Sequence, residues 1–312
     1  MLSAYLGITD NNWFDYLRRN EITDEVNFWV PSAPPRKLIE PGTLWLLKLH
    51  RTHRPDGTVV DPIAVVGVFM HYSVLPLQMA WDAFGIHNGV PTLEAFRTAI
   101  MRHRASRVDA WNISIGCAIL NQVVYLSREL WVPCHTGSLV SGKHMVSADD
   151  QTIVRQVLRN LELTPSTPQV HALPFYNDNY TPQYALREVR QGQGTFRVEV
   201  TDAYHRQCAV SREHSLPVLE AAHIIEWSDT HTNDVTNGIL LRADIHKLFD
   251  AGYVTIDPDG YRFVVSKRLK EDYDNGKEYY QLHGSQILLP EDPQMWPSRQ
   301  ALAEHGSHIF SE

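Results

Sequence analysis

A histidine, an asparagine and a second histidine mark the most distinctive stretch of this chain, which runs from residue 190 to residue 260. His223 lies in an apolar run, Asn237 follows 14 residues later in a polar segment, and His246 follows after 9 more. Such a pattern is informative only if its residues fall on elements that bring their side chains together. The spacing therefore constrains the fold of this stretch more tightly than composition does.

The secondary structure predicted around these residues is strand, strand, loop, helix. Short apolar runs at 208–210 and 218–225 flank a polar turn and predict a hairpin. Residues 226–238 are polar and predict a loop. Residues 243–251 predict a short helix, because Gly252 suits the left-handed position past a helix end. The two histidines are thus predicted on the second strand and on the helix.

The segments LEAAHI at 219–224 and NGILLRADIHKLFDAGY at 237–253 resemble the HNH nuclease family, whose ββα-metal fold carries His, Asn and His in this order. The resemblance covers about residues 184–312 and includes three flanking segments: GQGTFR at 192–197, CAVS at 208–211 and PSRQALAEHGSHIF at 297–310. These flanks are similar to those of HNH domains in bacterial restriction enzymes. The resemblance implies hydrolysis of DNA phosphodiester bonds with one Mg²⁺ or Mn²⁺ ion per active site.

Hydrolysis of a phosphodiester requires a base that activates water and a cation that offsets charge on the phosphate. His223 is the candidate general base, because an imidazole titrates near neutral pH. His246 is the candidate ligand of the metal ion, and Asn237 is expected to tie the loop and hold His223 in position. Arg242 and Lys247 are candidates for binding the scissile phosphate.

The position before the first histidine departs from the family. Many members carry a metal ligand there, but this chain has Ala222. Side chains alternate along a strand, so Glu220 is predicted on the same face and is the candidate second metal ligand. The alternative for Glu220 is an ion pair with an arginine. Asp250 is interpreted as a structural residue that closes the helix end.

The first half of the chain reads mainly as strands separated by Pro and Gly turns. Helices are predicted at 92–107 and at 147–161, the second capped by Ser147. Residues 162–183 hold four prolines among polar residues and predict a linker. Apolar or alternating runs predict strands at 27–30, 44–50, 64–70 and 113–119.

Four segments of this half are similar to PUA-superfamily readers of the EVE and SRA type: FWVPS at 28–32, PGTLWLLKLH at 41–50, VVGVF at 65–69 and AWDAFGIHNG at 80–89. Related modules are fused to HNH nucleases in modification-dependent restriction endonucleases. The resemblance implies a β-barrel with helices that binds modified cytosine, such as 5-methylcytosine or 5-hydroxymethylcytosine, in double-stranded DNA. We therefore predict an α+β protein with a PUA-like reader at 1–150, a helix and linker at 151–183, and an HNH nuclease domain at 184–312.

A modified base is read by extruding it into a pocket where aromatic rings replace the lost stacking. The alternative for every aromatic residue is an ordinary core position, since aromatic rings also fill cores. The candidate rings are Trp29, Trp45, Trp81, Phe84 and Trp111, and the candidates for reading the base edge are Ser32, Asn88 and Asn112.

Arginines cluster along and after the predicted helix at 92–107. Arg97, Arg104 and Arg107, with Arg102 beside them, are candidates for contacting the DNA backbone; a solvated helix face is the alternative. The chain carries a net charge of −8, but residues 271–312 alone hold 8 acidic and 2 basic side chains. The acidity is therefore concentrated near the C-terminus and does not exclude a polyanionic partner elsewhere.

The remaining features predict a bacterial cytoplasmic protein without a membrane partner. The longest apolar run, 63–70, is far too short to span a bilayer, and the N-terminus lacks a signal-peptide pattern. The three cysteines are too widely spaced for a disulfide framework or a zinc site. If each active site cuts one strand, a homodimer would break both. The alternatives are an HNH nuclease of toxin or homing type and a nucleic-acid reader with an inactive nuclease site.

Overall fold

The structure is a computed structural model. It describes residues 4–31, 39–50, 52–53, 59–104, 113–134, 142–162, 192–226 and 233–311. The chain divides into two compact units, Met1–Gly192 and Gln193–Glu312. Helices and strands occur in both, so the predicted α+β class is confirmed. The predicted linker at 162–183 lies outside the described residues, apart from its first residue.

The first unit is built on a mixed sheet. Its described strands are β1 (Ala4–Thr9), β2 (Glu25–Val30), β3 (Leu44–Leu49), β4 (Thr52–His53), β5 (Val59–Val60), β6 (Pro62–Pro76), β7 (Ser114–Tyr125), β8 (Val132–Pro133) and β9 (Lys143–His144). Seven of them pair in the order β2-β7-β6-β3-β1-β9, with β8 joined to β6; β1 and β3 run parallel and the other described pairs are antiparallel. β4 and β5 form a separate pair.

The predicted PUA-like barrel is not formed by these strands. Among the described residues no pairing joins β2 to β9, so the sheet stays open at these two edges. Closure into a barrel would require both edges to share hydrogen bonds. The fold of this unit is therefore corrected from a closed barrel to an open sheet with helices packed on it.

Helices cover this sheet. Their bounds are α1 (Asn11–Arg19), α2 (Leu77–Phe84), α3 (Leu93–Arg102) and α4 (Ala148–Glu162). Ser147 Oγ accepts from the Asp150 amide while Asp150 Oδ2 accepts from the Ser147 amide, so two orphan donors at the start of α4 are satisfied. The face of α4 that bears Val154, Val157 and Leu161 packs into a core with residues of β1, β3 and β6. Because α2 and α4 cover the sheet, the side chains of β6 are buried along most of its length.

The second unit contains two hairpins and a set of short helices. β10 (Leu219–His223) pairs with β11 (Gly238–Arg242), and β12 (Val254–Asp257) pairs with β13 (Arg262–Val265), both antiparallel. The helices are α5 (Gln193–Ala203), α6 (Ala243–Asp250), α7 (Arg268–Tyr273), α8 (Lys277–Tyr280) and α9 (Arg299–His308). A single apolar core holds these elements together.

The predicted hairpin has the wrong first strand. Residues 208–210 form a turn, and the partner of β10 is β11, which comes after the loop. The turn still contacts the sheet, because the Ala209 amide donates to Leu240 O at 2.7 Å. The observed order is therefore strand, loop, strand, helix. By pattern alone, the short apolar run from Gly238 to Leu241 is compatible with a buried strand or with a buried helix segment.

Helix α5 packs on the core of this unit. Phe196 and Val200 are buried on its core face, and Tyr204, just after its end, continues the four-residue spacing and is buried too. Gly238 allows the helix to approach β11, since a Cβ there would lie 2.5 Å from a Val200 methyl. In the described part of the chain, no helix is both long and apolar enough to cross a bilayer.

Candidate active site

The site is assembled where β11 runs directly into α6. Arg242 ends the strand and Ala243 begins the helix, so no loop separates them. His246, in the first turn of α6, therefore lies against β10 of the same hairpin. Its Nδ1 donates to Glu220 Oε2 at 2.7 Å, which joins the helix to the strand.

His246 lies between two carboxylates. While Nδ1 contacts Glu220, Nε2 lies 3.4 Å from Asp250 Oδ2 one helical turn later. Partial burial raises the pKa of Asp250, and Glu226 and Glu220 raise it further while the two histidines His246 and His223 oppose them. Asp250, interpreted above as structural, therefore interacts electrostatically with the histidines and glutamates of the site.

His223 is held on two sides. Its Nε2 lies 3.0 Å from Asn233 Oδ1, and its ring stacks on Phe196 of α5 at 3.9 Å with the planes 9° apart. An amide oxygen only accepts, so Nε2 donates the hydrogen. In the neutral ring, Nδ1 is then the nitrogen with a free lone pair.

Asn237 ties the two ends of the loop together. Its Oδ1 accepts from the Ile225 amide at 3.0 Å, and its Nδ2 donates to Ile225 O at 2.9 Å. The Asn237 carbonyl also accepts from the Ile224 amide. Asn237 thus binds the residues that follow His223 and does not contact its ring through a described hydrogen bond.

The two candidate phosphate contacts differ in availability. Arg242 forms a bidentate pair with Asp244, with Nε and Nη2 at 2.6 and 2.7 Å from its oxygens. This pair lowers the pKa of Asp244 to about 2 and raises the pKa of Arg242. Lys247 is exposed on α6. The guanidinium charge is largely compensated within the protein, so Lys247 is the better placed of the two for a phosphate.

Glu220 and Ala222 occupy different environments although they share a strand face. Ala222 is fully buried in the core, whereas the Glu220 side chain is 46% exposed and reaches His246. The carboxylate near His246 thus comes from Glu220, two residues before Ala222 on β10.

The donors near His246 match a divalent cation in chemical type, since imidazole nitrogen and carboxylate oxygen bind Mn²⁺ and related ions. Within the described residues, however, no group of three or more His, Cys, Asp or Glu side chains is spaced to enclose a metal ion. Both ring nitrogens of His246 face carboxylates instead. Binding an ion would therefore require one of these contacts to open.

Three of the aromatic rings predicted to form a base pocket, Trp29, Trp45 and Phe84, are buried. Trp45 is 0% exposed and stacks on Phe69 at 5.3 Å, and Phe84 is 3% exposed on α2. A base would have to displace well-packed core contacts to reach either ring. The alternative named above, an ordinary core position, describes the environment of Trp45 and Phe84 in this structure.

Trp29 and Trp81 both pack against Phe96. The centroid of the Phe96 ring lies 5.6 Å from that of Trp29 and 6.2 Å from that of Trp81. Trp29 Nε1 donates to Asn88 O, and the Asn88 side chain bonds Asn27, Gly85 and Ala80. Asn88 is thus a structural tie. Three other pocket candidates, Ser32, Trp111 and Asn112, lie outside the described residues.

The arginine cluster is only partly described. Helix α3 ends at Arg102, five residues before its predicted end. Arg97 pairs with Glu94 at 3.4 Å, and Arg104 donates to Ser114 O at 3.4 Å. Arg107 lies outside the described residues. Arg97 therefore already has an acidic partner on its own helix.

Three site residues escaped prediction: Asn233, Phe196 and Asp250. The four-residue spacing of Phe196, Val200 and Tyr204 is compatible with a helix, but residues on several sides of α5 are buried, so the pattern does not identify it. Asp250 lies four residues after His246, the interval that brings side chains together on a helix. Asn233 lies in a polar loop where no periodicity exists, so its contact with His223 depends on tertiary structure.

Comparison with known proteins assigns part of this unit to a family. Residues 208–257 match the HNH endonuclease family. A solved structure titled a modification dependent TagI restriction endonuclease aligns over 92% of this chain and 76% of its own, at 12% identity and a TM-score of 0.28. The family match spans β10, β11 and α6 with their two histidines, so the chain contains an HNH endonuclease domain.

Proposed function

We propose that this chain is a metal-dependent endonuclease that hydrolyses double-stranded DNA carrying modified cytosine. One observation carries the nuclease part: His223 and His246 lie on the hairpin and helix of the HNH match, with Asp250 in electrostatic range of both. The reader part is supported by the sequence resemblance of the first half, and Trp81 is a candidate pocket ring that is partly exposed.

In this mechanism His223 takes the proton of the attacking water at Nδ1. Asn233 accepts from Nε2 and so keeps the hydrogen on that nitrogen, while the stack on Phe196 restricts the ring plane. Asn237 keeps the residues after His223 in register through its two bonds to Ile225. The base thus faces the substrate with one nitrogen and the protein with the other.

His246 would hold the divalent ion, and Glu220 and Asp250 are the carboxylates nearest to it. When bound, such an ion offsets negative charge on the phosphate and the leaving oxygen. Glu220 restrains the His246 ring through Nδ1, as carboxylates commonly do for metal-binding histidines. Lys247, on the exposed face of α6, would attract the phosphates of the DNA backbone. The orientation of the Arg242 guanidinium is set by its hydrogen bonds to Asp244.

A cleavage assay tests the proposal directly. Matched DNAs that differ only in cytosine modification are incubated with Mg²⁺ or Mn²⁺ and wild type, His223→Ala or the control His308→Ala, whose histidine is exposed on α9. We expect cutting of modified DNA to fall about 10²-fold or more in His223→Ala and to persist in the control. Equal cutting of all DNAs would leave a nuclease without modification dependence. Absence of cutting in wild type with either metal would favour the inactive reader.

A further inference from the structure

We propose that His305 is a positioning residue for the nuclease site, acting through the C-terminal end of α6; this inference rests on the proposed nuclease function. His305 lies on α9, outside the residues that match the HNH family. It is 1% exposed, and its ring contacts the helix that carries His246 and Asp250.

Both ring nitrogens of His305 have defined roles. Nε2 lies 3.1 Å from Phe249 O, and a carbonyl only accepts, so Nε2 donates. Nδ1 lies 2.9 Å from Thr255 Oγ1, so in the neutral ring the hydroxyl donates to Nδ1. Burial lowers the pKa of His305 to about 4, which keeps the ring neutral near pH 7. A single tautomer therefore satisfies both partners.

The contact to α6 involves backbone and side chain together. The Phe249 ring stacks on the His305 ring at 3.7 Å with the planes 13° apart. Phe249 immediately precedes Asp250 and follows His246 by three residues, so its carbonyl and ring fix the turn on which both site residues stand. Short helices gain most of their order from such tertiary contacts.

The chain beyond α9 strengthens the same attachment. The Ser311 amide donates to Gly252 O, and a Cβ at Gly252 would lie 2.1 Å from Ile309 O. The Ile309 and Phe310 amides both donate to His305 O. Residues 305–311 thus hold the end of α6 and the turn after it from one side.

This arrangement predicts what His305 does for catalysis. His246 of α6 contacts Glu220 of β10, so a small rotation or shift of α6 would separate these two side chains. Displacements of about 1 Å at a reacting group can cost about 10²-fold in rate. His305 therefore acts on turnover through the placement of His246 and Asp250, without touching the substrate.

The test uses the full chain with His305→Phe, which keeps an aromatic ring and loses the donor, and His305→Gln, which restores an Nε donor. His308→Gln on the same helix is the control. For variants folded at the assay temperature, we expect kcat on DNA to fall about tenfold or more in His305→Phe, with KM within about twofold. His305→Gln should recover most of the loss, and His308→Gln should match wild type.

Nuclear magnetic resonance of the imidazole groups separates this inference from the proposed function. The His246 signals should shift in His305→Phe and return in His305→Gln, whether or not the chain cuts DNA. Unchanged signals and a wild-type kcat in folded His305→Phe would overturn the inference, as would losses that track only the unfolded fraction. If His305→Phe does not fold, Thr255→Val decides: it removes the hydroxyl donor, and an unchanged kcat with unchanged His246 signals would overturn the inference.

Discussion

The candidate residues of the two units differ in what their burial allows. In the second unit, His223, Glu220 and His246 are partly exposed and lie in electrostatic range of Asp250. In the first unit, Trp45 and Phe84 are buried in the core, and the described ring contacts place Trp45 with Tyr5, Phe28 and Phe69 rather than with Trp29. Polar residues at a motif spacing therefore indicate a functional site more specifically than aromatic residues do, because aromatic rings are also used to fill the core.

The largest expected effect tests whether the polar residues of the second unit act as a site. His246→Ala removes the proposed metal ligand, and we expect single-turnover cleavage to fall about 10³-fold, since a catalytic ion supplies several kcal/mol. The affinity for Mn²⁺, measured by isothermal titration calorimetry, should fall as well. The control is His308→Ala, a histidine of the same unit that is exposed on α9. If His246→Ala cleaved DNA at the wild-type rate, the polar residues of the second unit would not form the proposed active site.

The next prediction tests the aromatic residues of the first unit. Trp45→Ala should lower the free energy of unfolding of this unit by about 3–5 kcal/mol, the range for a fully buried large aromatic residue. Trp81→Ala, which truncates a partly buried ring on the surface of α2, should cost less than half as much. Urea unfolding followed by fluorescence measures both. If the two losses were equal, burial would not separate core rings from candidate pocket rings.

The third prediction concerns the stability of the second unit at low pH. The pKa of His305 is lowered from 6.5 to about 4 by burial, so the unfolded chain takes up a proton first as the pH falls. The stability that the neutral ring contributes is present above pH 6.5 and is lost progressively down to pH 4. This loss should be on the order of 3 kcal/mol for this residue. Urea unfolding at several pH values should show it in wild type and a smaller slope in His305→Gln.

The smallest effect concerns DNA binding by the exposed face of α6. Lys247→Ala should weaken binding modestly on all sequences and reduce the slope of log affinity against log salt by about 1, the value for one phosphate contact. Lys277→Ala, an exposed lysine on α8, is the matched control. An unchanged slope in Lys247→Ala would remove this lysine from the proposed DNA surface and leave the histidine site unaffected.

Local patterns account for much of the fold. The strands near 27–30, 44–50, 64–70 and 113–119 and the helix at 147–161 are present, although β6 and β7 each continue six residues past the predicted end. Ser147 and Asp150 form the cap that the sequence signals. The errors occur where an element is buried on several sides: β11 and α5 lack the one-sided pattern that reveals strands and helices.

Sequence alone determined the identity and order of the histidines and asparagine of the nuclease unit and the short helix that carries His246, because local spacing and turn residues encode these features. Tertiary structure decided that β10 pairs with β11, that Asn233 and Phe196 hold His223, that Asp250 joins the site, and that Trp45 belongs to a core. These contacts join residues far apart in the chain. Which distant residues meet depends on how whole elements pack, and a periodic pattern records only that a residue is buried or exposed, not which partner it meets.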